Sequence, residues 1–232
     1  MKNPTQAIML CGGLGTRLMP LTADLPKPMA PVNGKPFIAY LLNQLKREGI
    51  VSVILLTGYK GEKIREFVGD GQDFGLSVEY SHGPVEWDTG RRVWEVRQQL
   101  EDHFFLLYSD NYAPFSAQLM SQMHFEKTSD LTLLLHTKPR GNIKSLPSGL
   151  IDKYDESRSA FGLDQVEVGY MLARRAPLIS RLDPERSLSE TIIQLVSTRR
   201  VYGVSNPGPY QSISDIERLK MTEEYLFKQK IK

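Results

Sequence analysis

Ala7-Ile8-Met9-Leu10-Cys11 is an unbroken apolar run, and it stops at Gly12-Gly13. A strand that is apolar on both faces must be buried on both faces, so this segment demands a sheet with a covering layer above and below. The first half of the chain keeps that rhythm. Phe37, Ile38, Leu41, Leu42 and Leu45 recur at helical spacing from Pro36 to about Glu48, and Gly49 is placed to stop the helix. Val51–Leu56 predicts the next strand, Lys60–Val68 a short helix and Leu76–Tyr80 a third strand. Asp88–Leu100 predicts a helix, and Phe104–Tyr108 a strand running into Ser109-Asp110-Asn111. Strands and helices in alternation imply parallel crossovers and an α/β fold. Such sheets bind ligands beyond the carboxyl ends of their strands, where the loops after Cys11 and after Tyr108 stand.

Beyond Asp130 the pattern loosens. Leu131–His136, Gly149–Tyr154 and Val166–Leu172 read as strands, and Leu188–Val196 and about Ile213–Phe227 as helices. Ser212 or Ser214 is the expected N-cap of the last helix. No internal repeat and no low-complexity linker divides the chain, so residues 1–232 are expected to form one domain, with 131–232 a substrate-binding lobe on the same core. A chain of 232 residues buries roughly 70% of its unfolded surface and needs no disulfide or structural metal. Cys11 is the single cysteine, and His82, His103, His124 and His136 lack any zinc-binding spacing. A balance of 29 basic to 27 acidic residues argues against a nucleic-acid binder that works through charge. The Arg-Arg pairs at 91–92, 174–175 and 199–200, and Lys228, Lys230 and Lys232, read as solvated faces. There is no run of 18 apolar residues and no apolar leader with a cleavage site. The expectation is a protein of a reducing cytoplasm, partnered by neither membrane nor nucleic acid.

Three glycines fall within four residues of the first strand in Leu10-Cys11-Gly12-Gly13-Leu14-Gly15-Thr16-Arg17-Leu18. Glycine lets a backbone turn sharply and bring its N–H groups against a ligand, and phosphate oxygens are the obvious partner. A Walker loop is excluded because no Gly-Lys-Ser/Thr ends the segment, and a dinucleotide fingerprint starting at Gly13 fails at Leu18. The longer string is more specific: Gly12 to Thr22, then Pro26-Lys27-Pro28-Met29, Pro31-Val32 and Lys35-Pro36. It resembles the signature of the sugar-1-phosphate nucleotidylyltransferases, and within them the short bacterial mannose-1-phosphate or heptose-1-phosphate guanylyltransferases. The match covers about the first sixty residues, with a weaker order of elements continuing to the C-terminus.

The resemblance implies a three-layer αβα, Rossmann-like (GT-A-like) fold with a mixed, mostly parallel sheet. Residues 1–130 would be the nucleotide-binding half and 131–232 the sugar-binding lobe. The substrates would be an NTP, GTP by similarity, and a sugar 1-phosphate of mannose or heptose type, and the products an NDP-sugar and pyrophosphate. A sugar phosphate is already anionic, so catalysis reduces to positioning and charge neutralisation. Nucleotide contacts are then expected at Leu10, Cys11, Gly12, Gly13, Gly15, Thr16, Arg17, Asp88, Thr89 and Gly90. Arg17 would hold the leaving pyrophosphate. Lys27, stiffened by Pro26 and Pro28, would sit where the attacking and transferring phosphates meet. Asp110 ends the Phe104–Ser109 run where relatives carry Gly-Asp and bind Mg²⁺, which makes it the expected metal ligand.

Three departures bear on activity. Where relatives have a Gly-Thr-Ala/Gly-Gly turn, this chain has Trp87-Asp88-Thr89-Gly90-Arg91-Arg92, two cations in place of small residues. Their Glu-Lys-Pro is replaced by Tyr154-Asp155-Glu156, so Asp155 is left as a sugar-hydroxyl acceptor and Arg91 or Arg92 as a source of the missing charge. Their second metal-binding aspartate falls at Ser212 in Tyr210-Gln211-Ser212-Ile213-Ser214-Asp215, and Asp215 is expected in the first turn of the last helix. On the sugar side, Val166-Glu167-Val168-Gly169-Tyr170 resembles the strand facing the sugar, with Glu167 and Gly169 as contacts and an arginine as the other partner open to Glu167. Two other functions compete with the enzyme: a catalytically silent nucleotide-sugar binder or regulatory subunit, and nucleotidyl transfer to a phosphorylated alcohol or amino-alcohol. Either a monomer or a homodimer is expected.

Overall fold

The computed structural model describes residues 3–206 and 208–230; Lys232 and the side chain of Lys230, part of the basic tail, lie outside the described residues. In chain order the first half holds β1 (Gln6–Cys11), the hairpin β2 (Pro31–Val32) and β3 (Lys35–Pro36), α1 (Phe37–Arg47), β4 (Ser52–Thr57), α2 (Gly61–Val68), β5 (Ser77–His82), α3 (Thr89–Glu95) and β6 (His103–Tyr108). The second half adds β7 (Asn111–Tyr112), α4 (Ala117–Glu126), β8 (Leu131–Thr137), β9 (Ile143–Ser145), β10 (Ile151–Tyr154) and β11 (Gln165–Arg174). It closes with α5 (Arg175–Ile179), α6 (Leu188–Ser197), β12 (Val201–Ser205), β13 (Gln211–Ser212) and α7 (Ile216–Lys230).

The main sheet runs β10-β9-β11-β6-β1-β4-β5, with β8 paired to β11 and β12 paired to β8. β6, β1, β4 and β5 are mutually parallel, and β11 turns antiparallel against β6. This is the mixed sheet between helical layers that the alternating pattern implies. β1 shows why. Ala7, Met9 and Cys11 enter one hydrophobic cluster while Ile8 and Leu10 enter the other, as a period of two requires. Phe105 and Leu107 part from Phe104 and Leu106 in the same way on β6. The first cluster takes Phe37, Ile38, Leu41, Leu42 and Leu45 of α1, and the second takes Leu188, Ile192 and Leu195 of α6. At about 1.5–3 kcal/mol per fully buried large side chain, these two faces carry the fold.

Gly49 does stop α1. It adopts φ +87°, and the N–H groups of Gly49 and Ile50 donate back to Lys46 and Leu45. The last helix differs from expectation: it begins at Ile216, and Asp215, not Ser212 or Ser214, caps it through Oδ1 to the Arg218 N–H at 2.9 Å. Ser212 is instead drawn into the two-residue β13, paired with Asn111 of β7. Helix α4 and strands β9 and β12 carry no strong periodicity and emerge only from packing.

Candidate active site

The loops at the carboxyl ends of β1, β5 and β6 enclose a cleft of about 340 Å³. It is lined by Leu10, Cys11, Gly12, Gly13, Gly15, Thr16, Arg17, Lys27, Asp88, Thr89 and Asp110 among the sequence-expected residues. Segments up to a hundred residues apart thus converge because parallel strands deliver their following loops to one edge. Pro28, Trp87, Arg92, Tyr108, Ser109 and Ser214 line it as well. Most of these adjoin an expected residue, and only the fold turns them toward the cleft.

Gly15, at φ +64°, opens the single turn Thr16–Leu18, and a Cβ there would lie 3.0 Å from Lys27 Cβ. Its carbonyl accepts from Thr22 Oγ1 at 2.9 Å, so the loop folds back against the Lys27 turn. Pro26 and Pro28 frame the turn Lys27–Met29, closed by Met29 N–H to Pro26 O at 2.8 Å. From it Lys27 Nζ reaches Asp110 Oδ2 at 2.6 Å, with the two side chains 15% and 29% exposed. The pair is therefore half-buried and open to the cleft. Ser109 Oγ donates to Leu10 O at 2.6 Å, tying β6 to β1 just before the carboxylate. Burial pushes the Cys11 thiol up to about 12, so it stands as an inert thiol in the wall.

The two neighbouring arginines part company. Arg91 pairs with Glu95 at 2.7 Å and Glu185 at 3.6 Å, lies 5.3 Å from the centre of the Trp87 ring, and does not line the cleft. Arg92 is 5% exposed and donates to Thr57 O at 2.8 Å, Pro84 O at 2.7 Å and Gly12 O at 3.4 Å. A Cβ on Gly12 would come 2.2 Å from the Arg92 guanidinium carbon, so this glycine makes room for a side chain as well as a ligand. Gly90 also lies away from the cleft. Its missing Cβ leaves space for the carbonyl of Arg186, 2.2 Å from where that atom would sit.

The remaining sugar-side residues stand behind or beside the cleft. Asp155 folds back on its own loop, accepting from Ser157 N and Oγ, Ser159 Oγ and Ala160 N. Those bonds, the Ser157 hydroxyl foremost, hold its carboxyl down to about 2. Glu167 and Gly169 lie in a bulge of β11, where Glu167 Oε1 accepts from Gly169 N–H at 2.5 Å. Burial, with the Asp110 charge adding to it, lifts the Glu167 carboxyl to about 7. Gly169, at φ +85°, leaves room for Tyr108 and Asn111, so the bulge packs against the end of β6. Ile213 N–H donates to Asp110 O at 2.9 Å, which sets the Ser212 segment beside Asp110; Ser212 itself is buried, and Ser214 faces the cleft. No group of three or more His, Cys, Asp or Glu among the described residues is placed to hold a metal. No helix among them is long and apolar enough to cross a membrane.

A family model described as "Nucleotidyl transferase" matches residues 6–156. A D-glycero-alpha-D-manno-heptose 1-phosphate guanylyltransferase of Campylobacter jejuni is 41% identical over 107 residues, 46% of this chain and 48% of that protein. Its namesake from Aneurinibacillus thermoaerophilus is 37% identical over 131 residues, 56% of each chain. The chain thus matches about half the length of these curated relatives. In structure, HddC from Yersinia pseudotuberculosis superposes with a TM-score of 0.81 over 96% of this chain and 99% of its own, at 19% identity. That protein has also been solved in complex with GMP-PN.

Proposed function

The chain belongs to the nucleotidyl transferase family, and from that premise we propose that it joins a nucleoside triphosphate, GTP by preference, to a sugar 1-phosphate of mannose or heptose type, giving an NDP-sugar and pyrophosphate. One observation carries the reading: Lys27 and Asp110, 83 residues apart, meet at 2.6 Å on the same cleft that the glycine loop lines. A binder without chemistry has no use for that pair, and so the silent-binder reading gives way.

The sugar phosphate's oxygen attacks the α-phosphorus in line; the new P–O bond forms as the bond to the β-phosphate oxygen breaks, and pyrophosphate leaves. The attacking oxygen is already an anion, so no side chain needs to remove a proton. N–H groups from Gly12 to Thr16 cradle the triphosphate, and Gly13, with nothing within 4 Å of its missing Cβ, lets the backbone approach it closely. Arg17 holds the leaving oxygens and Lys27 the oxygens of the transferring group, acting by charge already in place. Asp110 orients Lys27. The donor set also suits a Mg²⁺ that arrives with the nucleotide, since such an ion takes one or two carboxylates and fills its shell with phosphate and water. Asp110 would hold it from the protein side, and once bound it supplies charge neutralisation across the phosphates. Glu167 and Gly169 shape the sugar side through Tyr108 and Asn111.

The test is a pyrophosphate-release screen in Mg²⁺. It crosses the four common NTPs and dTTP with mannose, heptose, glucose and N-acetylhexosamine 1-phosphates and with phosphocholine. Release from GTP with a manno-configured sugar phosphate, abolished in Asp110→Asn, is the expected result. Release only with phosphocholine, or none at all, overturns the reading.

A further inference from the structure

Arg92 is the only arginine or lysine that is buried among the described residues, and it makes no ion pair among them. All three of its hydrogen bonds go to neutral carbonyls, on the last residue of β4 and on the loops after β1 and β5. A guanidinium has five N–H groups, so two are unspent. Burying a cation that no carboxylate hydrogen-bonds is costly, and this one lies in the wall of a ligand cleft. The deficit points to an electron-rich partner on the ligand.

Its place in the sheet selects which part of the ligand. Asp110 and Lys27 meet at the end of β6, whereas Arg92 is anchored on Thr57 at the end of β4, two strands away across β1. At about 4.8 Å per strand, that is a span of about 10 Å. If the phosphates take the Lys27 end, the base is left the Arg92 end, where Trp87 and Asp88 also line the cleft. A donor-only guanidinium matches a keto oxygen and opposes an amino group. Guanine offers O6 with N7 beside it, while adenine and cytosine put amino groups at the corresponding place. Asp88 supplies the complement. Its Oδ1 accepts from Thr89 N and Oγ1, its Oδ2 accepts nothing among the described residues, and it lies close enough for its charge to act on Arg92. Uracil and thymine carry a keto oxygen but lack the exocyclic amino group that Asp88 would receive.

We propose that Arg92 is the residue that reads the base, donating to guanine O6 while Asp88 accepts from the neighbouring N1–H and N2–H₂. The proposal rests on the nucleotidyl-transfer reading above and extends it to a residue that reading leaves without a role.

Calorimetric binding of the whole protein, without turnover, tests it. Wild type should bind GTP roughly 10- to 100-fold more tightly than ATP, UTP or 6-thio-GTP, the last differing only at the O6 position. ITP, which lacks the 2-amino group, should lose roughly five- to tenfold. In Arg92→Gln the preference over ATP and 6-thio-GTP should collapse while binding of inorganic tripolyphosphate stays unchanged, and Arg92→Lys should recover part of it. The 6-thio comparison on the wild type needs no variant to fold. Equal binding of GTP and 6-thio-GTP, preference for ATP, CTP or UTP, or a parallel loss of tripolyphosphate in Arg92→Gln overturns the proposal. If no nucleoside triphosphate binds, the function itself falls; if GTP turns over but the base ratios are flat, only the assignment of Arg92 does.

Discussion

The two ends of strand β6 make opposite use of their polar groups. At its amino end His103 Nδ1 and His124 Nε2 lie 3.0 Å apart, and His124 Nδ1 meets Thr132 Oγ1 at 2.9 Å. Beside them Asp130 sits between Arg174 and Arg200 at 3.6 and 3.3 Å. Every one of these side chains has a protein partner, so this end is a closed network that specifies how α4 packs on the sheet. At the carboxyl end the groups are under-used. Lys27 and Asp110 have chiefly each other, Arg92 has carbonyls alone, and Asp88 holds one oxygen free of protein. Polar capacity left over in a cleft is capacity reserved for a ligand, and polarity by itself does not distinguish the two ends.

The sharpest break of this comparison is Lys27→Ala. It should lower kcat by roughly 10²–10³-fold while leaving thermal unfolding almost unchanged, as expected for a group that acts on developing charge. Pyrophosphate release and a melting curve measure both, and a large loss of stability would place Lys27 in the closed class.

Next in size is His124→Gln at the other end. Burial holds the His124 imidazole down to about 3, so the unfolded chain binds the proton that the folded chain refuses. Stability contributed by the neutral pair is present above the ordinary histidine pKa of about 6.5 and is lost as pH falls toward 3. Urea melts across that window should show the slope in wild type and a flatter one in the variant, with no change in turnover at pH 8.

Glu167→Gln should show a slope of the other sign. The folded carboxyl titrates near 7, above an unfolded value of about 4.3, so the folded state holds the extra proton and loses stability as pH rises between them. In metal-free buffer the variant should be the more stable protein at pH 8 and equal to wild type at pH 4.

The smallest effect belongs to Asp155→Ala. Removing a carboxylate that ties only its own exposed loop should leave the melting temperature almost unchanged and the KM for the sugar phosphate unchanged. A tenfold rise in that KM would show that the loop opens and turns Asp155 toward the substrate.

Much of this was legible in the chain. The apolar run of β1, broken at Gly12-Gly13, requires a sheet covered on both faces and a sharp turn at its carboxyl end, because a strand's side chains alternate whatever its neighbours are. Pro26-Lys27-Pro28 and Asp110 were legible through the resemblance, which rests on the string around Lys27 and on the carboxylate that ends the Phe104–Ser109 run. Arg91 and Arg92 were not. Successive residues on a helix point about 100° apart, so one-dimensional order cannot say which of two adjacent arginines enters the cleft. The positions of Gly12, Thr57 and Pro84 at the ends of three different strands decided that, as the bulge of β11 decided that Glu167 stands beside the cleft. The sequence by itself determined the layers, the edge of the sheet that carries the cleft and the glycine-rich turn that lines it, all set by local periodicity and turn chemistry. Only the tertiary structure decided which charges are spent on the protein and which are left for a ligand, because that depends on partners brought from far along the chain.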